Sequence, residues 1–281
     1  MRSLKNKQTK KMVAVVIPLS NRAELTEEER LSLRHLEHYL HKYDKFMVAP
    51  QSLEFQYPGI TVKRFKDRFF GSVKAHMNLV MSADFYRAFH EYEYMLIYHL
   101  DAIVFSDQLE YWCHQDYDFI GAPWIKHKDA PYSGMPEYEG RVGNGGFAIK
   151  KISSFIKLYS SNRLAVDPDQ YWKQTYGSRS RPLQLLNYPK KMLKHFPMFN
   201  AIKHEISGLR HNSEELFLAK RATHYLPDFK IAPVDKALQF AFECVPRYCY
   251  EANNNQLPFG CHAWQRYDAD FWKPFLLNNV D

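Results

Sequence analysis

Residues 91–107 read EYEYMLIYHLDAIVFSD: two apolar runs, Met95-Leu96-Ile97 and Ile103-Val104-Phe105, with a single aspartate, Asp101, between them. Continuous apolar runs bounded by polar residues are the pattern of a strand buried on both faces. A carboxylate inside such a strand is costly unless something pairs with it. Asp101 is therefore expected to hold either a cation or ligand, or a structural hydrogen bond to His99 or a helix N-terminus. Its place late in the strand is where open α/β sheets carry their sites.

Working outward toward the N-terminus, residues 73–89 return to a helical period, with Met77, Val80, Met81, Phe85 and Ala88 on one side. KFMVAP (45–50) and ITVKRF (60–65) read as strands, and MVAVVIPL (12–19) as a further buried parallel strand closed by Pro18. Between the last of these and KFMVAP lies a helix with a clear start. Thr26 is placed to cap, Glu29 falls at the third helical position of a capping box, and Leu33, Leu36 and Leu40 form the apolar stripe. This order predicts an α/β fold with a mostly parallel, mixed central sheet flanked by helices.

Downstream, FIGAPW (119–124) reads as a short strand and residues 125–141 as a polar, turn-rich loop. GNGGFAIKK (143–151) enters a strand or tight turn. Residues 153–161 and 213–222 read as helices, the second capped by Asn212 or Ser213. Residues 176–211 carry prolines, glycines and lysines with little period, and a loop-rich segment is expected there. No internal repeat or linker divides the chain, so residues 12–281 are expected to form one domain behind a basic arm, residues 1–11.

The composition, 46% hydrophobic and 25% charged over 281 residues, is that of a globular protein and excludes a disordered chain. The formal net charge of +7 is partly local, in the arm and in Lys190, Lys191 and Lys194. Such charge suits anionic substrates, phosphorylated lipids or a membrane surface, or else a solvated tail and face. No nucleic-acid motif accompanies it. Cys113, Cys244, Cys249 and Cys261 form no CxxC pair and are expected to be reduced and buried, as in a cytoplasmic protein. No stretch reaches the roughly 20 apolar residues of a membrane span, which leaves open peripheral contact at the inner membrane face.

Several residues are candidates for chemistry. Gly143, Asn144, Gly145 and Gly146 imply close backbone approaches, either to a substrate or to a neighbouring strand. They match neither a dinucleotide fingerprint nor a phosphate-binding loop. Glu214 and Glu215 stand at a helix start, where acids serve as caps or as a base. His262, in PFGCHAW (258–264), is either a ligand or a packed residue. Lys74 and His76 lie early in a helix, near where an anion would meet backbone N–H groups, or in a solvated turn.

The pieces VAVVIPL (13–19), GSVKAHMNLVMSADFYRAF (71–89), YMLIYHLDAIVF (94–105), YDFIGAPW (117–124), GRVGNGGFAIKK (140–151), SEELFLAK (213–220) and PFGCHAW together resemble a bacterial and fungal family of uncharacterised proteins related to GT-A glycosyltransferases. The resemblance implies a GT-A-like domain whose Rossmann-like sheet binds the nucleotide in about residues 12–123, at Pro18, Lys74 and His76. The donor sugar and acceptor would meet about residues 124–281.

It further implies Mn²⁺ or Mg²⁺ at Asp101. The chain departs from the usual DxD by offering His99 and Asp101, with His99 or His262 left to complete the shell. Asn144, Gly145 and Gly146 would face the donor sugar. Glu215, with Glu214 as fallback, would be the base of an inverting transfer from a nucleotide-diphosphate sugar, UDP favoured. The acceptor would be a glycan or lipid-linked glycan of surface polysaccharide or lipopolysaccharide synthesis. The rival expectations are a non-catalytic nucleotide- or glycan-binding module with a degenerate site, and a sugar nucleotidyltransferase. The acidic SNRAELTEEER (20–30) argues against the last, which needs a glycine-rich basic loop there.

Overall fold

The fold is that of a computed structural model, which describes residues 10–20, 22–209 and 214–277. Most of the basic arm, and the two proposed cap residues Asn212 and Ser213, lie outside the described residues. In chain order the first half comprises β1 (Lys11–Pro18), α1 (Glu27–Leu40), β2 (Asp44–Pro50), β3 (Thr61–Phe65), α2 (Val73–Val80), α3 (Ala83–Arg87), β4 (Tyr92–Tyr98), β5 (Ile103–Val104), α4 (Leu109–His114), β6 (Phe119–Ile120) and β7 (Pro123–Trp124). The second half comprises β8 (Arg141–Val142), β9 (Phe147–Lys151), α5 (Ile152–Tyr159), α6 (Pro168–Tyr176), α7 (Arg181–Leu193), α8 (Pro197–Asn200), α9 (Ile202–Gly208), α10 (Glu214–Tyr225), α11 (Val234–Phe240), β10 (Ala241–Phe242), α12 (Pro246–Ala252), β11 (Gly260–Cys261) and α13 (Ala269–Trp272).

Six strands form the central sheet in the order β3-β2-β1-β4-β9-β6, as the mostly parallel, mixed sheet expected from the sequence. The first four run parallel, while β9 runs antiparallel to both β4 and β6. Period-two alternation sends Ala14 and Val16 of β1 to one face, among Met77, Phe85, Phe155 and Phe217. Val15 and Ile17 go to the other, among Leu33, Leu36 and Leu40 of α1 and Trp112 of α4. The strand order reverses direction between β1 and β4, which opens a crevice outside their carboxyl ends.

The capping box of α1 is present: Glu29 N–H donates to Thr26 Oγ1 (3.3 Å) and Thr26 N–H to Glu29 Oε2 (2.8 Å). All four cysteines are free and buried.

Three sequence expectations are corrected. Residues 73–89 are two helices, because Ser82 turns the chain: its hydroxyl donates to Leu79 O (2.7 Å) and accepts from Phe85 N–H (3.3 Å), starting α3. Within the segment 176–211, the described residues to 208 are mostly helical, through α7, α8 and α9, rather than loop-rich. Of the prolines that suggested a loop, Pro182 and Pro197 occupy first-turn positions where a missing N–H costs nothing, whereas Pro189 lies inside α7, which continues through it. The strand through Asp101 stops at Tyr98; Asp101 sits in the following turn, closed by Ala102 N–H to His99 O (2.9 Å). Its side chain is 48% exposed, so the burial penalty inferred from the flanking apolar runs falls on the carboxylate only in part.

Candidate functional site

The turn that carries Asp101 is fixed from α1. Ser32 Oγ donates to Ala102 O (2.7 Å), Tyr98 Oη donates to Ser32 O (3.0 Å), and the His35 imidazole bonds Val104 O (2.9 Å). Ser32 and His35 are fully buried polar residues on an otherwise apolar stripe. On the other side, His99 N–H donates to Gly146 O (2.7 Å), joining the turn to the glycine segment.

A small three-stranded sheet, β10-β11-β5, then brings distant residues into one row. Cys261 pairs with Ile103 on one side and with Phe242 on the other. His262, the next residue after β11, is thereby set between Asp101 and Glu243. Its Nε2 lies 3.2 Å from Asp101 Oδ1 and its Nδ1 lies 3.2 Å from Glu243 Oε1. One donor atom each from His99, Asp101 and His262 falls within 4.8 Å of the others. The Nε2 atoms of His99 and His262 are both buried without a hydrogen-bond partner in good geometry. The orphaned imidazole nitrogen of His99, and that of His262 facing only the Asp101 carboxylate, make with it a donor set that a cation would complete.

The charges around the cluster are mutually dependent. Burial disfavours the imidazolium of His262, but the carboxylates of Asp101 and Glu243 outweigh it and push its pKa up to about 10. Burial likewise opposes ionisation of Asp101, and the hydrogen bond and charge of His262 overcome it, drawing the carboxyl down to about 2. His99 is held well below the ordinary histidine range by burial, with the neighbouring imidazoles of His76 and His262 adding to the effect. Three imidazoles stand in sequence, His76 to His99 at 5.3 Å and His99 to His262 at 5.5 Å between centroids.

Asn144 fixes the glycine segment from a left-handed backbone (φ 78°). Its Oδ1 accepts from the N–H groups of Gly146 (3.0 Å) and Phe147 (3.2 Å), which leaves its amide nitrogen directed at His262 Nδ1, 2.8 Å away. That imidazole nitrogen therefore has two suitors. It can accept from Asn144 or donate to Glu243, but it cannot do both.

The close approaches implied by the glycines are made to the protein's own groups: a Cβ on Gly143 would strike the Trp124 ring, and one on Gly146 would stand 2.0 Å from His262 Nε2. Gly145 N–H donates to Glu215 Oε1 (2.9 Å), and a Cβ there would meet the same oxygen at 2.7 Å.

Adjacent glutamates take different environments. Glu214 is buried and paired with Lys150 (Oε2 to Nζ, 2.5 Å), while its Oε1 accepts from Tyr159 (2.9 Å) and Tyr86 (3.2 Å). Glu215 is turned to Gly145 at the cleft. That cleft, of about 450 Å³, is walled by Pro18, Leu19, His76, His99, Gly145 and Glu215. It continues past Pro18, Leu19, Ser20 and His99 into a second hollow of about 500 Å³ bordered by Arg22, Thr26, Asp101 and Gln265.

Of the sequence candidates, Pro18, His76, His99, Asp101, Gly145, Glu214 and Glu215 line this double cleft, and Asn144, Gly146 and His262 stand behind it. Lys74 does not turn into it: its ammonium donates to the carbonyls of Ile206 (3.3 Å) and Leu209 (2.9 Å). Sequence reasoning missed Lys150 and Glu243. The only signal for Glu243 was a lone charge in an apolar run, AFECV, while Lys150 is one of two consecutive lysines and carries none.

The family described as "Protein of unknown function (DUF5672)" matches residues 59–262. No curated protein matches the chain. Among solved structures, the chain is similar to the apo form of the glycosyltransferase GlyE of Streptococcus pneumoniae TIGR4, at 11% identity and TM-score 0.41, covering 96% of this chain and 61% of that one. It is similar to the catalytic domain of Drosophila β1,4-galactosyltransferase 7 in complex with xylobiose, at 15% identity and TM-score 0.32, covering 55% of this chain and 53% of that one. A third similarity is to 4-diphosphocytidyl-2C-methyl-D-erythritol synthase of Anaerococcus prevotii DSM 20548, at 8% identity and TM-score 0.33, covering 64% and 83%. The chain thus spans less than two thirds of the length of the first two.

Proposed function

We propose that this chain, which belongs to the DUF5672 family, is an inverting glycosyltransferase that uses a nucleotide-diphosphate sugar, UDP-linked by preference, and a glycan acceptor. One observation carries the reading. At the crevice between β1 and β4, His99 and Asp101 of the His99–Asp101–His262 donor set and the Glu215 carboxylate border one continuous cleft, with His99 common to both of its parts and His262 behind it. Displacement at a sugar carbon needs these two things together, positive charge for the departing diphosphate and a base for the arriving hydroxyl.

In this reading Glu215 takes the proton of the acceptor hydroxyl as its oxygen bonds to the anomeric carbon and the carbon–oxygen bond to the diphosphate breaks. Gly145 N–H holds the Glu215 carboxylate in place. Glu214, neutralised by Lys150, is a positioning residue for the start of α10 rather than a base. His99, Asp101 and His262 would hold a divalent cation, which supplies charge stabilisation for the leaving diphosphate when bound. Two imidazoles with one carboxylate disfavour Mg²⁺, which prefers oxygen ligands, and suit a first-row transition ion, for which we propose Mn²⁺. The nucleotide-binding part corresponds to about residues 12–123 and the acceptor side to about residues 124–281.

Calorimetry of UDP and GDP binding, with Mn²⁺ and with EDTA, tests this on the wild type and Asp101→Ala. Binding that requires both the cation and Asp101 is expected, and absence of nucleotide binding under every condition overturns the reading. The single carboxylate in the cluster favours one rival, a nucleotide-binding module without catalysis. It is distinguished by cation-dependent binding with donor left intact across an acceptor panel.

A further inference from the structure

Helix α7 is built inside out. Its polar residues face the protein: Asn187 Oδ1 accepts from Tyr176 Oη (3.3 Å), Lys191 Nζ pairs with Asp169 (2.5 Å), and Gln184 is half-buried beside α6. Leu185, Leu186, Tyr188, Met192 and Leu193 fall on the opposite side, within about 160° of the helix circumference at the α-helical repeat. That side faces solvent, except that the Tyr188 ring meets Trp172 of α6 edge-on. Leu185 and Leu186 are 76% and 77% exposed, and no residue of α7 is buried. The apolar surface runs on through Phe196 and Met198 beyond the helix end.

Among the described residues, nine of the fourteen exposed large hydrophobic side chains lie in residues 183–199. Scattered apolar side chains are ordinary on a protein surface, but a contiguous patch of this kind marks a surface that something covers.

The surrounding charge indicates what covers it. Residues 170–204 contain seven lysines and arginines and no aspartate or glutamate. Arg181 opens the helix and Lys190 borders the apolar arc, its exposed ammonium donating to Tyr176 Oη (3.4 Å); the long stems of such residues can lie along apolar surface. A bare apolar stripe flanked by an excess of cations, of which Lys191 is paired with Asp169, is complementary to a surface that is apolar within and anionic at its face. Among the described residues no helix is long and apolar enough to cross a membrane, so α7 is suited to lie in the interface plane rather than to span it.

We infer that α7 and the segment that follows it form a binding surface for an anionic lipid bilayer. The inference does not rest on the proposed transfer reaction, because lipid binding is read without donor or acceptor.

Co-sedimentation of the full chain with phosphatidylcholine vesicles, with and without phosphatidylglycerol, tests it at low and high salt. The wild type is expected to bind the anionic vesicles at least about tenfold more tightly than the neutral ones, with the preference reduced by salt. Leu185→Ser/Leu186→Ser should abolish binding, and Arg181→Gln/Lys190→Gln should weaken it and flatten its salt dependence. Phe196→Ser/Met198→Ser, outside the helix, should also weaken it, and melting curves check that each variant is folded. A wild type that stays in the supernatant with anionic vesicles overturns the inference, as does binding unaffected by both apolar double variants. A wild-type dimer that the leucine variant converts to monomer, with no vesicle binding, also overturns it and assigns the face to a second copy of the chain.

Discussion

Glu214 Oε2 and Lys150 Nζ lie 2.5 Å apart with side-chain exposures of 5% and 1%, a buried ion pair between the start of α10 and the end of strand β9. Two further donors, Tyr86 and Tyr159, satisfy the second oxygen. Removing one partner of such a pair strands a charge in the core, which typically costs about 3–5 kcal/mol. Lys150→Met is therefore expected to lower the melting temperature by roughly 10 °C. Glu214→Gln should cost less, because an amide oxygen still accepts from the tyrosines. Equal and negligible shifts in thermal melts of the two variants would remove the pair from the account of what holds α10.

The neighbouring Glu215 should behave in the opposite way. It lines the cleft and its bond to Gly145 N–H is one that an amide oxygen can also accept. Glu215→Gln should leave the melting temperature and nucleotide affinity close to the wild type, while transfer falls by about 10²–10⁴-fold. Retention of transfer in Glu215→Gln would exclude it as the base.

Glu243 is expected to act on the cation site without touching the cation. A histidine that ligates through Nε2 is best held when its Nδ1–H donates to a carboxylate, and Glu243 is placed 3.2 Å from that nitrogen. Asn144 competes for the same atom, so loss of Glu243 lets the imidazole settle as acceptor from Asn144, with its remaining proton on Nε2. Glu243→Ala should weaken Mn²⁺ binding by about 10–100-fold, measured by calorimetry on the protein without nucleotide. An unchanged Mn²⁺ affinity would show that Asn144 alone sets the ring.

What the sequence conveys here follows from the range of the interactions. Strands β1, β2 and β4 are legible because each is buried on both faces, and α1 between the first two has its own start signal, Thr26 with Glu29. The cluster members His99 and Asp101 are legible as unusual residues, since both lie in one short segment. Glu243 is not: it reaches His262 across 19 residues only because β10 and β11 pair in a register that sets position 243 beside position 262. Lys150 and Glu214 are 64 residues apart, and nothing local marks either as buried. Helix α7 misleads for a different reason. Pattern reading assumes that the apolar arc points inward, and here the half-buried side of the helix is the polar one, with prolines at positions that look like breaks.

His35 supplies a prediction in pH. It is fully buried on α1, its Nδ1–H donating to Val104 O (2.9 Å) and its Nε2 accepting from Leu277 N–H (2.8 Å). A proton on Nε2 would set two N–H groups against each other, and burial alone already disfavours the charged ring. The pKa is depressed to about 4, from 6.5, with burial as the main cause. Between those values the unfolded chain binds a proton that the folded chain refuses, so the stability from neutral His35 is complete above about pH 6.5. It is lost as pH falls toward 4, amounting to about 3 kcal/mol over that interval. His35→Asn keeps a donor for Val104 O and has no such titration. The wild type should exceed His35→Asn in urea-unfolding free energy at pH 7, and the gap should close by about that amount at pH 4.5. Parallel stability profiles for the two proteins across this range would show that His35 is not held neutral by the fold.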